Sequence, residues 1–147
     1  MAGEPTTYSF LDLSGAIVHP FYGTFQFVGE GIGSISVKMQ ETKTIHDVAA
    51  DGTVMISKIA GNQGSMDLKV QQTSALHKFL LGLYNYLLIA DTIQWAQITI
   101  LLRNTSDGSS HVATGVSFSK KADKEYTKQG GQVDWSLMAA DIQSLNA

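Results

Sequence analysis

Alternation of apolar and polar residues with a period of two runs through most of the chain, the signature of half-buried β-strands. Over Gly33–Met39, the apolar Ile35, Val37 and Met39 alternate with Ser34, Ser36 and Lys38. Gly64–Gln72 repeats the scheme, setting Met66, Leu68 and Val70 against Ser65, Asp67, Lys69 and Gln71. Two strands whose second face is wholly polar need water, or a water-filled space, on that side. Tyr8–His19 puts Leu11, Leu13 and Ile17 on one face and Asp12 and Ser14 on the other. Further strands are predicted at Thr53–Ala60, Gln94–Arg103, His111–Ser119 and Gln132–Ile142. Gln94–Arg103 is nearly continuously apolar, which predicts burial of both faces. The last strand alternates Val133, Trp135 and Leu137 with Gln132, Asp134 and Ser136.

One helix interrupts the strands. Thr73 or Ser74 can cap its start, and Leu76, Phe79 or Leu80, Leu83 and Leu87 recur at helical spacing. A second stripe of Leu81, Tyr84 and Leu88 widens the apolar surface, as in a core helix packed on a sheet. Asp51-Gly52, Asp107-Gly108, Gly61-Asn62 and Gly130-Gly131 mark turns. Gln40–Asp51 reads as a long polar connection within a loop over 40–52, and connections of that length often form interfaces. Residues 1–7 read as a flexible segment that a neighbour orders. The fold class that follows is mainly β (α+β): one domain over 1–147, a β-sandwich or open barrel with one flanking α-helix.

Composition narrows the chemistry. The 147 residues include no cysteine, which removes disulfides, thiolate metal sites and thiol nucleophiles together. Thirteen acidic and ten basic residues give a net charge of −3, so no global field favours nucleic acid. Charged residues make up 16%, below the ~25% of an average domain, which fits a surface partly covered by partners. The N-terminus is neither basic nor apolar, so it reads as no signal peptide. Phe79–Ala90, the most apolar stretch, is too short to span a bilayer of ~30 Å.

No motif points to catalysis. His19, His46, His77 and His111 are scattered without the spacing of a metal site. His46 and Asp47, adjacent in extended chain, point to opposite faces and make no catalytic pair. Gly29-x-Gly31-x-Gly33 lacks the dinucleotide spacing and reads as a bend before a strand. Asn104-Thr105-Ser106 matches a glycosylation triplet by letter only. Lys120, Lys121 and Lys124, interleaved with Asp123 and Glu125, read as a solvated loop. No cofactor and no metal are expected, and the chain does not read as an enzyme.

A run of ordered segments carries a resemblance. Ala50-Asp51-Gly52-Thr53-Val54-Met55-Ile56-Ser57 is followed by Gly64, an alternating strand and Gln72-Thr73-Ser74-Ala75. Leu83-Tyr84-Asn85 then leads to Trp95, and Gly115-Val116-Ser117-Phe118-Ser119-Lys120-Lys121-Ala122-Asp123 precedes Tyr126, Gly130-Gly131 and Val133-Asp134-Trp135. With Tyr8-Ser9-Phe10-Leu11-Asp12, this ordered set resembles the tail tube protein family of contractile-tailed bacteriophages. It departs in the Leu87–Thr92 connection and the short C-terminal tail.

The resemblance implies a virion structural protein assembled in the host cytoplasm and resident in the tail. It implies hexameric rings, each subunit giving strands to one inner barrel closed between subunits, stacked within a contractile sheath. Implied partners are other copies of the chain, the sheath, baseplate and neck proteins, and a tape-measure protein in the lumen. DNA passes in transit without specific binding, and no membrane is involved. On that reading Ser34, Ser36, Lys38, Ser65, Asp67, Lys69 and Gln71 are candidates to line the lumen, against the alternative of ordinary solvent-facing residues. Glu41, Lys43, Ile45, His46, Asp47 and Asp51 are candidates for the ring-to-ring contact. Two other readings are a tube of a type VI secretion machine or phage-derived contractile particle, and a monomeric β-sandwich binding module.

Overall fold

The computed structural model of the chain describes residues 9–28, 32–105 and 108–145. Its strands and helix run β1 Leu13–His19, β2 Gly23–Val28, β3 Ile32–Met39, β4 Thr44–Val48, β5 Val54–Lys58, β6 Gly64–Gln71, α1 Ala75–Ile89, β7 Ile98–Asn104, β8 Ser110–Phe118 and β9 Gln132–Leu145. Short 3-10 turns, Phe10–Asp12 and Thr92–Gln94, precede β1 and β7. Seven strands form one antiparallel sheet in the order β2-β1-β7-β8-β9-β6-β3, and β4 pairs only with β5.

The sheet curls into an open barrel. Ile35 and Val37 of the edge strand β3 line the same cleft as Leu13 of β1 and Leu102 of β7, strands five and four places away in the order. A bulge in β8 contributes to the curl. Thr114 and Gly115 together oppose Thr99 of β7, and Gly115 has a φ of +61°, which only glycine adopts without strain. In β1, a Cβ at Gly15 would meet the carbonyl of Leu101 and the Phe27 ring at 2.6 Å, so glycine lets Phe27 close over the strand.

Helix α1 crosses the inner face. Ser74, not Thr73, caps it: its hydroxyl accepts from the His77 N–H at 3.2 Å. Leu76, Leu80, Leu83 and Leu87 are buried against the sheet, Tyr84 is half-buried and Leu88 is exposed. Tyr84, Phe118 and Trp135 form the aromatic centre, with ring centroids 5.4–6.3 Å apart. The Trp135 indole N–H donates to His77 Nδ1 at 3.1 Å. Burial pushes His77 below the ordinary imidazole range, and the charge of Lys124 adds to the shift.

Four expectations need correction. Strand β2 has no counterpart in the sequence reading, because its inward Phe25 and Phe27 are only two alternating positions. Leu11 lies exposed in a 3-10 turn, so β1 begins at Leu13, and Tyr8 lies outside the described residues. Strand β7 starts at Ile98 and buries one face: Ile98, Ile100 and Leu102 point inward while Leu101 and Arg103 are exposed, because no second layer among the described residues covers that side. The loop expected over 40–52 contains β4, which pairs with β5 across a tight turn. Of the glycine-rich bend, Gly33 lies in β3, while Gly29 and Gly31 lie outside the described residues.

Candidate functional site: a polar sheet face and a projecting arm

Residues opposite each other in a ladder point to the same face. The pairs Ser34–Lys69 and Ser36–Asp67 join β3 to β6, and Asp67–Ser136, Lys69–Asp134 and Gln71–Gln132 join β6 to β9. One continuous polar surface across three strands results. It carries two lysines, Lys38 and Lys69, against two aspartates, Asp67 and Asp134, and so is neutral overall. Lys38 Nζ reaches diagonally to Asp67 at 2.9 Å. That hydrogen bond holds the Asp67 carboxyl below its ordinary range, with help from Ser136 against a small burial effect. The opposite face of the same strands buries Met66, Leu68, Val70, Val133, Trp135 and Leu137.

The structure therefore brings Ser34, Ser36, Lys38, Asp67, Lys69 and Gln71 onto one surface. Ser65 shares their side of β6 but is 7% exposed, since Gln40 lies over it and donates to its hydroxyl at 3.4 Å. Its expected place on open surface is corrected accordingly. Gln132, Asp134 and Ser136 complete the surface and were not among the candidates. Their alternation is plain in the sequence. What no local pattern signals is that β9 is the neighbour of β6.

Beyond Met39 and Gly64 the β3–β6 ladder runs on as an arm. Gln40 N–H donates to Gln63 O and Ile59 N–H to Lys43 O, both at 2.9 Å, and β4 then pairs with β5 from Thr44–Lys58 to Val48–Val54. The tip is a turn in which Gly52 N–H donates to Ala49 O at 2.9 Å and Gly52 takes a φ of +89°. Asp51 accepts from Thr53 N–H at 2.9 Å, and that bond lowers its carboxyl pKa.

Glu41 and Lys43 lie at the base of the arm, where the Lys43 ammonium donates to the Gly61 carbonyl and to Asn62. Ile45, His46 and Asp47 lie on β4, and Asp51 lies in the turn. Every residue of β4 is exposed, and so are Val54, Met55 and Ile56 of β5. An isolated hairpin of this kind is marginal in water, so its apolar side chains call for a partner.

The histidines do not converge. His19 is buried: its Nε2 donates to Gln94 O at 3.0 Å, and Nδ1 accepts from the Phe21 and Tyr22 N–H groups. His111 bonds Ser144 at 2.7 Å, and His46 sits on the arm. Among the described residues no cluster of three or more His, Cys, Asp or Glu side chains could hold a metal, and no helix is long and apolar enough to cross a membrane.

This architecture has solved counterparts. The chain is similar to a sheath/tube terminator of the extracellular contractile injection system PVC, at 9% identity and a TM-score of 0.66, over 97% of this chain and 99% of that one. The PVC sheath-tube complex in its extended state gives 10% identity and a TM-score of 0.64, over 95% and 91%. A chain of the anti-feeding prophage baseplate gives 15% identity and a TM-score of 0.62, over 99% and 97%. At these identities the likeness concerns the fold alone. No curated protein matches. The family model of the bacteriophage PhiTE tail tube protein matches residues 5–146. Spanned almost end to end by that model, the chain belongs to the bacteriophage PhiTE tail tube protein family, and so is a component of a phage tail.

Proposed function

We propose that copies of this chain join edge to edge into hexameric rings whose inner wall is the polar face of β3, β6 and β9, and that the rings stack into a conduit for DNA. The observation that carries the reading is that face itself: three adjacent strands, polar on one side, with the other side packed in β6 and β9 and partly packed in β3. An open sheet leaves β2 and β3 as unpaired edges, a standing risk of uncontrolled association. Closure around a ring removes those edges and makes the risk into assembly. The lumen-lining set is Ser34, Ser36, Lys38, Asp67, Lys69 and Gln71, joined by Gln132, Asp134 and Ser136.

The balanced charge of that face suits passage better than capture. Each phosphate neutralised by Lys or Arg adds salt-sensitive affinity, and repeated cationic sites along a tube would hold DNA in place. The role is structural, with no catalytic step. The sheath, baseplate and neck proteins are its partners outside the bore, and a tape-measure protein occupies the bore before DNA does. The arm, with Ile45, His46 and Asp47 on β4 and Asp51 at its tip, makes the ring-to-ring contact.

Negative-stain microscopy of the purified chain across a concentration series tests this. Rings and tubes with a central bore are expected, together with no gel shift of DNA at low salt. A particle that stays near 15.9 kDa at high concentration would sink the reading in favour of a monomeric binding module.

A further inference from the structure

Among the described residues the arm is not alone in exposing apolar side chains: Val28 and Leu101 do so on the outer face of β2 and β7. A further such surface lies where the β1–β2 turn, the end of α1 and the 3-10 turn before β7 meet. Buried His19 ties these three together: it bonds the Phe21 and Tyr22 backbone and the Gln94 carbonyl, and its ring lies 6.0 Å from that of Tyr86. Tyr86 in turn donates to Gln94 Oε1 at 2.8 Å. Around this rigid hub Phe21 is 66% exposed, Ile89 88% and Ile93 75%. Nothing among the described residues covers them, and large exposed side chains on a well-braced base are what an interface presents.

We infer that this cap receives the arm of another copy of the chain, an inference that rests on the stacking reading above. The register separates the two surfaces. The arm leaves the sheet beside the C-terminal end of β9, where Ile142 N–H donates to Asn62 O, and that end pairs with the start of β8 and through it with the end of β7. The cap lies at the beginning of β7, about 20 Å away along seven residues of strand. One chain therefore cannot satisfy its own pair. Val48, Val54 and Ile56 share one face of the arm with His46 and Lys58 and with no carboxylate, and these three apolar side chains match the apolar Phe21, Ile89 and Ile93 of the cap. A contact between two different surfaces is heterologous, and it repeats without closing along an axis, as a stack of rings requires.

The absence of cysteine makes the test clean. Single substitutions Ala50→Cys at the arm tip and Ile93→Cys on the cap are prepared separately, mixed, assembled and oxidised. Disulfide-linked pairs of the two variants are expected in tubes and not in dissociated subunits. Linkage of Ala50→Cys instead to Leu101→Cys, on the outer face of β7, would overturn the assignment, as would well-formed tubes with no linkage.

Independently, Ile89→Glu with Ile93→Glu is expected to leave circular dichroism and ring formation unchanged. It should raise the concentration needed for tube growth on the order of 100-fold. Tubes from that variant at the wild-type concentration would also overturn the inference, while leaving the conduit reading intact. Failure of the unmodified chain to form rings or tubes would overturn both.

Discussion

The β3–β6 ladder and the β4–β5 arm are one pair of chain segments followed along its length, and they meet opposite fates. Up to Met39 and Gly64, alternation sets Met66, Leu68 and Val70 into the core and Ser36, Asp67 and Lys69 into solvent. Past that point the hydrogen bonds continue, yet Ile45, Val48, Val54, Met55 and Ile56 all stay exposed. The difference is the second layer: α1 and the curled sheet cover one stretch, and no element among the described residues covers the other. Strand propensity is thus common to both, while folding free energy belongs to the covered stretch alone.

The largest test of that contrast sets the two regions against each other. Trp135→Ala removes the aromatic centre and the His77 bond, and should cost about 3–5 kcal/mol by chemical denaturation. Ile56→Ser on the arm should stay within about 0.5 kcal/mol of wild type while stopping tube growth. Equal losses from the two substitutions would break the comparison. Next in size is Gly15→Ala. Its new Cβ meets the Leu101 backbone carbonyl, which cannot move as a side chain tip can, and a loss of about 1–3 kcal/mol is expected.

Acid should act on the body before it acts on the arm. His77 is neutral when folded, with its pKa held below 6.5, so below that pH the unfolded chain binds a proton the folded one does not. Stability is therefore whole above about pH 6.5 and falls as the pH drops toward the folded value, by at most about 1.4 kcal/mol per pH unit. Thermal melts from pH 7.5 to 5 should show this slope, and His77→Leu should flatten it. The smallest effect is Lys38→Ala. Breaking its partly exposed pair with Asp67 should cost about 0.2–1 kcal/mol, less at high salt, and leave the polar face net negative.

Much of the body was legible in the sequence because its signals are local. The alternation of Gly33–Met39 and Gly64–Gln72, the Ser74 cap and the leucine spacing of α1 each specify a face within a few residues. What escaped depends on distance along the chain. That β9 flanks β6, so that Asp134 and Ser136 join the polar face, is a pairing across more than sixty positions. The exposure of Leu101 depends on the lack of a covering layer that an apolar run would ordinarily have. The β4 half of the arm reads as a loop because its two apolar residues, Ile45 and Val48, fall on opposite faces among Glu41, Lys43, His46 and Asp47, although the Asp51-Gly52 turn and the following strand are plain.

The free edge of β3 has a consequence for fidelity. A neighbour that docked its β2 there two residues out of step would keep Thr24 and Gln26 on the same side. One that slipped by a single residue would turn that strand inside out, offering Phe25 and Phe27 to the wet side and Thr24 and Gln26 to the dry one. If copies join edge to edge as proposed, the strict two-residue rhythm of these strands would act as a proofreading device, discarding misaligned joints before a ring closes.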